Sequence, residues 1–308
     1  MSNDRSQPDD LTAIDSLIER AGRTHVIPPR EDQSLLDLLR EPRVFRRATE
    51  LLRSKNKEER HRAILCLERI GYVLEDQQTA EVLLQHADRT KDKLEVMTTL
   101  DALKNCTPPE PLAAEPLVRL ARRPEWQVWH TAVQCLHLAP AGEVEHALLE
   151  RLDSDAYGLV YVTRELRFMS STQSIRALED LLGSSTLDVR CFALDSLGER
   201  LGAGVLPFAR RFSTGLFQDQ WWAEKWIARF GTSEDVPFFA KRAKALTTGR
   251  RRTIEPPEVA TLVPFLSRHS EQPDARRALD LLGSRADRLP DNERGWLEVH
   301  ATDLLKSS

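Results

Sequence analysis

A small residue followed four positions later by a large aliphatic one recurs along this 308-residue chain. Successive occurrences begin 30 to 36 residues apart, which is the length of two short helices and their turns. The sequence therefore predicts tandem helical hairpins. The six pairs are Ala63 with Leu67, Thr99 with Leu103, Ala132 with Leu136, Val162 with Leu166, Ala193 with Leu197, and Ala223 with Ile227.

Each pair has a packing interpretation. Residues four apart share one helix face, so the small one lets a neighbouring hairpin approach and the large one fills the space beside it. A second apolar run with helical spacing follows each pair, for example Val236, Phe239 and Ala243. Glycine, proline and serine separate the runs, and we interpret Gly71 with Tyr72 as the first of these turns.

Two sequence phrases carry a family resemblance. RHRAILCLERIG (60–71) and DVRCFALDSLGERLG (188–202) resemble the first helix of HEAT repeats of the short bacterial type, most clearly at Asp188, Val189 and Arg190. The resemblance covers roughly residues 57–250 and implies a scaffold without implying an activity. We expect an all-α fold, an α-solenoid of about six to seven HEAT-like hairpins, whose second helices line a concave groove.

The repeat pattern also divides the chain. We predict an N-terminal helical cap at 1–56, HEAT-like repeats at 57–246, an inserted basic loop at 247–257, and a C-terminal helical cap at 258–308 that continues the solenoid. The two ends depart from the repeat because a terminal hairpin must cover a core face that has no neighbour.

Net charge and cysteine usage indicate which partners and which cellular compartment suit this chain. The net charge of -4 provides no general attraction to nucleic acid or to anionic membranes. The four cysteines stand singly, as small buried residues of a reducing compartment do, and no stretch has the length and apolar character of a signal peptide or a membrane span. We expect a cytoplasmic protein without a membrane segment.

Tryptophans are the first candidate contact residues. Trp221, Trp222 and Trp226 open one repeat, and Trp126 and Trp129 open another. Adjacent Trp221 and Trp222 lie about 100° apart on a helix, so one of them should reach a groove or the surface. These rings either thicken the core or form an aromatic contact site, for which we select Trp222 and Trp226.

Arginines are the second set of candidates. Arg190 and Arg229 are expected beside the tryptophans as part of a charged rim. Arg250, Arg251 and Arg252 stand in a stretch without acidic residues, which would attract phosphate if it is more than a solvated loop.

We predict a non-catalytic scaffold or adaptor that binds a protein partner, with nucleic acid as a less favoured partner. Metal and cofactor motifs are absent from the sequence, so neither is assigned. Two alternatives remain. Asp219, Trp222 and Arg190 resemble in type the residues of HEAT-like alkylpurine DNA glycosylases, and a regulatory or lyase-type subunit would handle a small cofactor in the same groove.

Overall fold

The computed structural model describes residues 14–16, 18, 19, 37, 39–248 and 258–306. Every regular element among them is helical, which confirms the predicted all-α class. The α-helices are α1 (Pro42–Leu51), α2 (Lys57–Leu74), α3 (Gln77–Arg89), α4 (Lys93–Lys104), α5 (Ala114–Ala121), α6 (Trp126–Val133), α7 (Ala141–Leu149), α8 (Ala156–Leu166), α9 (Thr172–Leu181), α10 (Leu187–Leu201), α11 (Leu206–Phe212), α12 (Phe217–Phe230), α13 (Val236–Leu246), α14 (Val259–Arg268), α15 (Pro273–Ser284), α16 (Asp291–His300) and α17 (Thr302–Lys306). Within this described part of the chain, no helix has both the length and the apolar character needed to cross a membrane.

The chain divides into two compact units, 1–174 and 175–308, and each contains two layers of helices. In the first unit, α2, α4, α6 and α8 pack in order as first helices of their hairpins, while α3, α5 and α7 form the other layer. In the second unit, α10, α12, α14 and α16 form the first-helix layer, and α13, α15 and α17 pack in order opposite. Stacked hairpins of this kind are the α-solenoid arrangement that the repeat predicts.

The small and large residues of the repeat lie where the packing interpretation puts them. All six small residues, from Ala63 to Ala223, are fully buried. Their large partners are buried to the same degree, with no more than 1% of any of them exposed. In each hairpin, the small residue and its large partner four positions later therefore belong to the core. Ile14 and Ile18 of the predicted N-terminal helix are buried as well.

Short acidic and amide side chains begin many of the helices. Asn56 accepts a hydrogen bond from the Glu58 N–H at 2.9 Å, and Asp76 accepts one from the Thr79 N–H at 2.7 Å. Asp155 does the same for Gly158 at 2.8 Å. Such caps satisfy backbone donors that the helix itself leaves unpaired.

Polar contacts join consecutive repeats within each unit. Arg60 donates to Glu95 at 2.7 Å across 35 residues, and Asn105 donates to Glu68 at 2.6 Å across 37. In the second unit, Lys225 donates to Asp195 at 2.6 Å across 30 residues. Each of these spacings equals about one repeat, so the contacts hold neighbouring hairpins in one register.

The interpretation of Gly71 as a turn residue is wrong. Gly71 lies inside α2, which continues to Leu74 and ends at Glu75 with a left-handed φ of 52°. A Cβ atom at Gly71 would overlap the Cys106 side chain. This glycine therefore permits close packing against the next repeat and does not end the helix.

The C-terminal segment also differs from expectation. The pattern from Pro290 to Leu305 predicts one helix, but the chain leaves the helical conformation at Ala301, with φ -141° and ψ 41°, and forms α16 and α17. A Cβ atom at Gly283 of α15 would overlap the Leu304 carbonyl. The break thus lets α17 fold back closely onto α15. Residues 249–257, most of the predicted basic loop, lie outside the described residues.

Glycine at the contact between two first helices gives a direct test of this packing. A Cβ atom at Gly198 of α10 would overlap the Trp226 ring of α12, so Gly198→Ala is expected to destabilise the protein by about 1–3 kcal/mol through overpacking. Gly142→Ala is the matched control, because nothing lies within 4 Å of the added methyl group. The free energy of unfolding in urea, followed by circular dichroism, should fall for the first variant and be unchanged or rise by up to about 1 kcal/mol for the second. Equal stabilities would contradict the packing role of Gly198.

Candidate functional site

Four rings meet on the first helices of two consecutive repeats, and we call Trp126, His130, Tyr157 and Tyr161 the aromatic cluster. Trp126 and His130 are one turn apart on α6, and Tyr157 and Tyr161 are one turn apart on α8. The Trp126 and Tyr157 ring centroids are 6.4 Å apart at an interplanar angle of 74°. His130 stacks on Tyr157 at 4.9 Å and meets Tyr161 edge-on at 3.7 Å.

The outer rings of the aromatic cluster are exposed. Trp126 has 55% of its surface exposed and Tyr157 has 57%, whereas His130 beneath them has 7%. Single exposed apolar residues are common on protein surfaces, but two large rings that touch each other and face solvent form an apolar patch. Aromatic patches of this kind are typical of binding surfaces.

Packing below the aromatic cluster fixes its position. A Cβ atom at Gly158 would come within 2.5 Å of the buried Trp129 ring, so this glycine allows α8 to approach α6 closely. Arg151 lies over the Trp129 ring, with its guanidinium carbon 4.7 Å from the ring centroid. Arg151 also donates to the Ala121 carbonyl at 2.7 Å. The rings therefore stand on a packed support, which lowers the cost of ordering them when a partner binds.

His130 is the titratable member of the aromatic cluster. Its Nε2 atom is buried and has no hydrogen-bond partner in the part of the chain that the structure describes. Burial lowers the pKa of His130, the carboxylates of Asp155 and Asp101 oppose this shift, and the Lys104 ammonium adds to it. The low pKa keeps the imidazole neutral at physiological pH.

Trp222, the candidate chosen from the sequence, is half-buried on α12. It contacts Phe192 of α10 at 5.5 Å and Trp221 at 5.2 Å between ring centroids. Trp221 is half-buried too, so both neighbours reach the surface in part. They lie on a first helix, whereas the sequence analysis expected the second helices to line the binding groove.

Trp226 is a core residue in this structure. Its side chain is fully buried, packs on Gly198 and stacks on Phe230 at 6.1 Å. A ring without exposed surface cannot anchor a partner, so the prediction that Trp226 is a contact residue is wrong. The reason is geometric, because Trp226 lies three positions after the buried Ala223, on the face where Gly198 of α10 leaves room for its ring.

The candidate arginines separate into different environments. Arg190 donates to both carboxylate oxygens of Asp219, at 2.8 and 3.3 Å, and the hydrogen bonds raise the pKa of Arg190. Asp219 also accepts from the Leu216 N–H at 3.3 Å and so caps α12. Arg229 is exposed and lies 5.1 Å from the Phe230 ring centroid. Arg250, Arg251 and Arg252 lie outside the described residues.

Tyr157 and Tyr161 were not among the sequence candidates, although a signal for them exists. Trp126 and His130 form an aromatic pair four residues apart, and Tyr157 and Tyr161 repeat that pair 31 residues later. A spacing of one repeat places both pairs on the same face of adjacent first helices. An aromatic pair that recurs with the repeat thus indicates a shared surface patch.

Nucleophilic and metal chemistry finds no support among the described residues. The four free cysteines are buried. Burial raises the pKa of the Cys66, Cys106 and Cys191 thiols to about 12, which disfavours the reactive thiolate, and it raises the pKa of Cys135 as well. Over the described ranges, no group of three or more His, Cys, Asp or Glu side chains could hold a metal ion.

Comparisons with known proteins leave the family open. No protein-family model matches the chain, and no curated protein matches it in sequence. An engineered protein whose crystal structure was determined by the Northeast Structural Genomics Consortium is similar over 98% of this chain and 84% of that chain, at 16% sequence identity and a TM-score of 0.45. A similarity at this level carries no argument about family or function.

Acid sensitivity tests the environment of His130. Because its folded-state pKa lies below the ordinary 6.5, the unfolded state binds a proton first as the pH falls, and stability is lost below about pH 6.5. We expect the melting temperature of His130→Phe to fall less than that of the wild type between pH 7.5 and 5.5. His61→Phe removes an exposed histidine and is the control. A wild-type pH dependence in His130→Phe would contradict a buried neutral imidazole.

Proposed function

We propose that this chain is a HEAT-repeat scaffold that binds a protein partner, carries out no reaction itself, and makes its contact through the aromatic cluster. The observation that carries the proposal is the exposure of Trp126 and Tyr157, each more than half exposed while their rings touch. Covering these rings would remove apolar surface from water without ordering a flexible segment of this chain.

The scaffold role follows from the repeat. The first-helix phrases at 60–71 and 188–202 support membership of the HEAT family, and the stacked hairpins of each unit agree with that assignment at the level of fold class. Helical stacks hold surface residues of successive repeats at fixed spacings, which suits them to recognition. The aromatic cluster uses two such repeats.

Charge supports a protein partner over nucleic acid. Near the aromatic cluster, Lys104 pairs with Asp101 at 2.9 Å and Arg123 pairs with Glu125 at 3.3 Å. Cations that are already paired gain less from a phosphate backbone than free ones do. The net charge of -4 points the same way. The free, buried cysteines support a reducing compartment, and we place the function in the cytoplasm.

Removing the exposed rings should weaken partner binding at least tenfold and leave the fold intact. We expect a Trp126→Ala, Tyr157→Ala variant to recover its protein partners at least tenfold less well than wild type in quantitative affinity purification from the source cells. Loss of two aromatic anchors commonly costs more than the roughly 1.4 kcal/mol to which a tenfold change corresponds.

Two further variants make this test specific. Val299→Ala removes another exposed apolar side chain, 73% exposed in the second unit, and should bind as wild type does. Trp222→Ala tests the site selected from the sequence. Circular dichroism must show every variant folded. Recovery of all partners by the Trp126→Ala, Tyr157→Ala variant, or their loss with Trp222→Ala alone, would contradict the proposed contact surface.

A further inference from the structure

Acidic side chains border the aromatic cluster on the side where α8 begins. Asp153 and Asp155 are both exposed in the turn before this helix. Asp155 accepts from the Gly158 N–H at 2.8 Å, and neither carboxylate forms an ion pair with any cation of the described residues. Asp155 lies near enough to His130 to act on its pKa. The edge of the ring patch is therefore acidic.

The cations around the aromatic cluster are engaged elsewhere. Arg151 lies over Trp129 and donates to the carbonyls of Ala121 and Arg123. Lys104 pairs with Asp101, Arg123 pairs with Glu125, and the Lys93 ammonium acts on the same Glu125 carboxylate. Arg164 acts on Tyr161, but it lies seven residues after Tyr157, about 10 Å farther along α8. An anionic ligand placed on Trp126 and Tyr157 would thus meet two carboxylates that have no ion-pair partner within the described part of the chain.

A cation placed on Trp126 and Tyr157 would be attracted both by the ring faces and by the neighbouring carboxylates. The face of an aromatic ring attracts a positive charge, with tryptophan the strongest of the three aromatic types, and the interaction strengthens as water is displaced. A nearby carboxylate adds an attraction of the same sign. The planar guanidinium group of arginine both stacks on rings and pairs with a carboxylate through two N–H donors, which the ammonium group of lysine cannot do.

We propose that the aromatic cluster recognises an arginine side chain in a peptide segment of its protein partner, stacked on Trp126 and Tyr157 and paired with Asp155. This inference rests on the proposed function and adds the chemistry of the ligand. It predicts that the bound segment is basic, in keeping with the acidic border of the rings and the net charge of -4 of the whole chain.

A peptide titration tests the inference without knowledge of the partner. The full chain, labelled with 15N at tryptophan indoles, is titrated with the peptide acetyl-Gly-Arg-Gly-Arg-Gly-amide, and the Trp126 indole signal is identified by its loss in Trp126→Phe. We expect this signal to shift on titration. The same peptide with citrulline in place of arginine keeps the shape and removes the charge, and it should bind at least about threefold more weakly.

The second part of the test removes negative charge from the protein and repeats the peptide titration. Asp153→Asn with Asp155→Asn keeps an N-cap acceptor for α8 and should weaken arginine-peptide binding about two- to thirtyfold, the range for two exposed ion pairs. Asp287→Asn removes an exposed carboxylate of the second unit and should leave binding unchanged. Three results would overturn the inference. They are tighter binding of the same peptide with glutamate in place of arginine, equal binding of the citrulline and arginine peptides, or no shift of the Trp126 signal.

The two proposals fail in distinguishable ways. If the Trp126→Ala, Tyr157→Ala variant loses its protein partners while the arginine peptide leaves the Trp126 signal unmoved, the contact surface stands and its preference for arginine is wrong. If the partners are retained by that variant, the contact surface itself is wrong, whatever the peptide does.

Discussion

Close approach of consecutive first helices is the constraint on which the rest of each unit depends. Fully buried small residues lie at these contacts. Where a large ring packs against the neighbouring helix, a glycine leaves room for it, as Gly158 does for Trp129 and Gly198 for Trp226. Where the helix axes come close, the large aliphatic residue four positions later fills the remaining space. The polar contacts between repeats, such as Arg60 with Glu95, then select one register.

The same constraint determines where aromatic residues can be exposed. A ring that directly precedes the buried small residue lies at the edge of the helix contact, so it packs on its neighbour while keeping part of its surface in solvent. Trp222 and Tyr161 precede Ala223 and Val162 directly and are half-buried. Trp126 and Tyr157 lie a turn or more earlier, at the helix N-termini, and are more exposed. Exposure in this protein thus follows from position within the repeat.

The sequence predicted the period, the helix pairs and the buried face, because all three depend on spacing along the chain. It mispredicted Gly71 and Trp226, because whether a glycine ends a helix or a ring faces a neighbour depends on the adjacent repeat, about 30 residues away. Tyr157 was missed although its spacing of 31 residues from Trp126 pointed to a shared face; its contact with Trp126 appears only in the structure. Spacing shows which residues share a face, but not what that face meets.

Protection of individual rings in the cell would show directly which surface is covered. Hydroxyl-radical labelling of tryptophan and tyrosine in living cells, compared with the purified chain, reports the loss of solvent access at each ring. Binding through the aromatic cluster predicts that Trp126 and Tyr157 are labelled less in cells while Trp222 and Trp296 are labelled equally. Unchanged labelling of Trp126 and Tyr157, together with protection of Trp222, would contradict it.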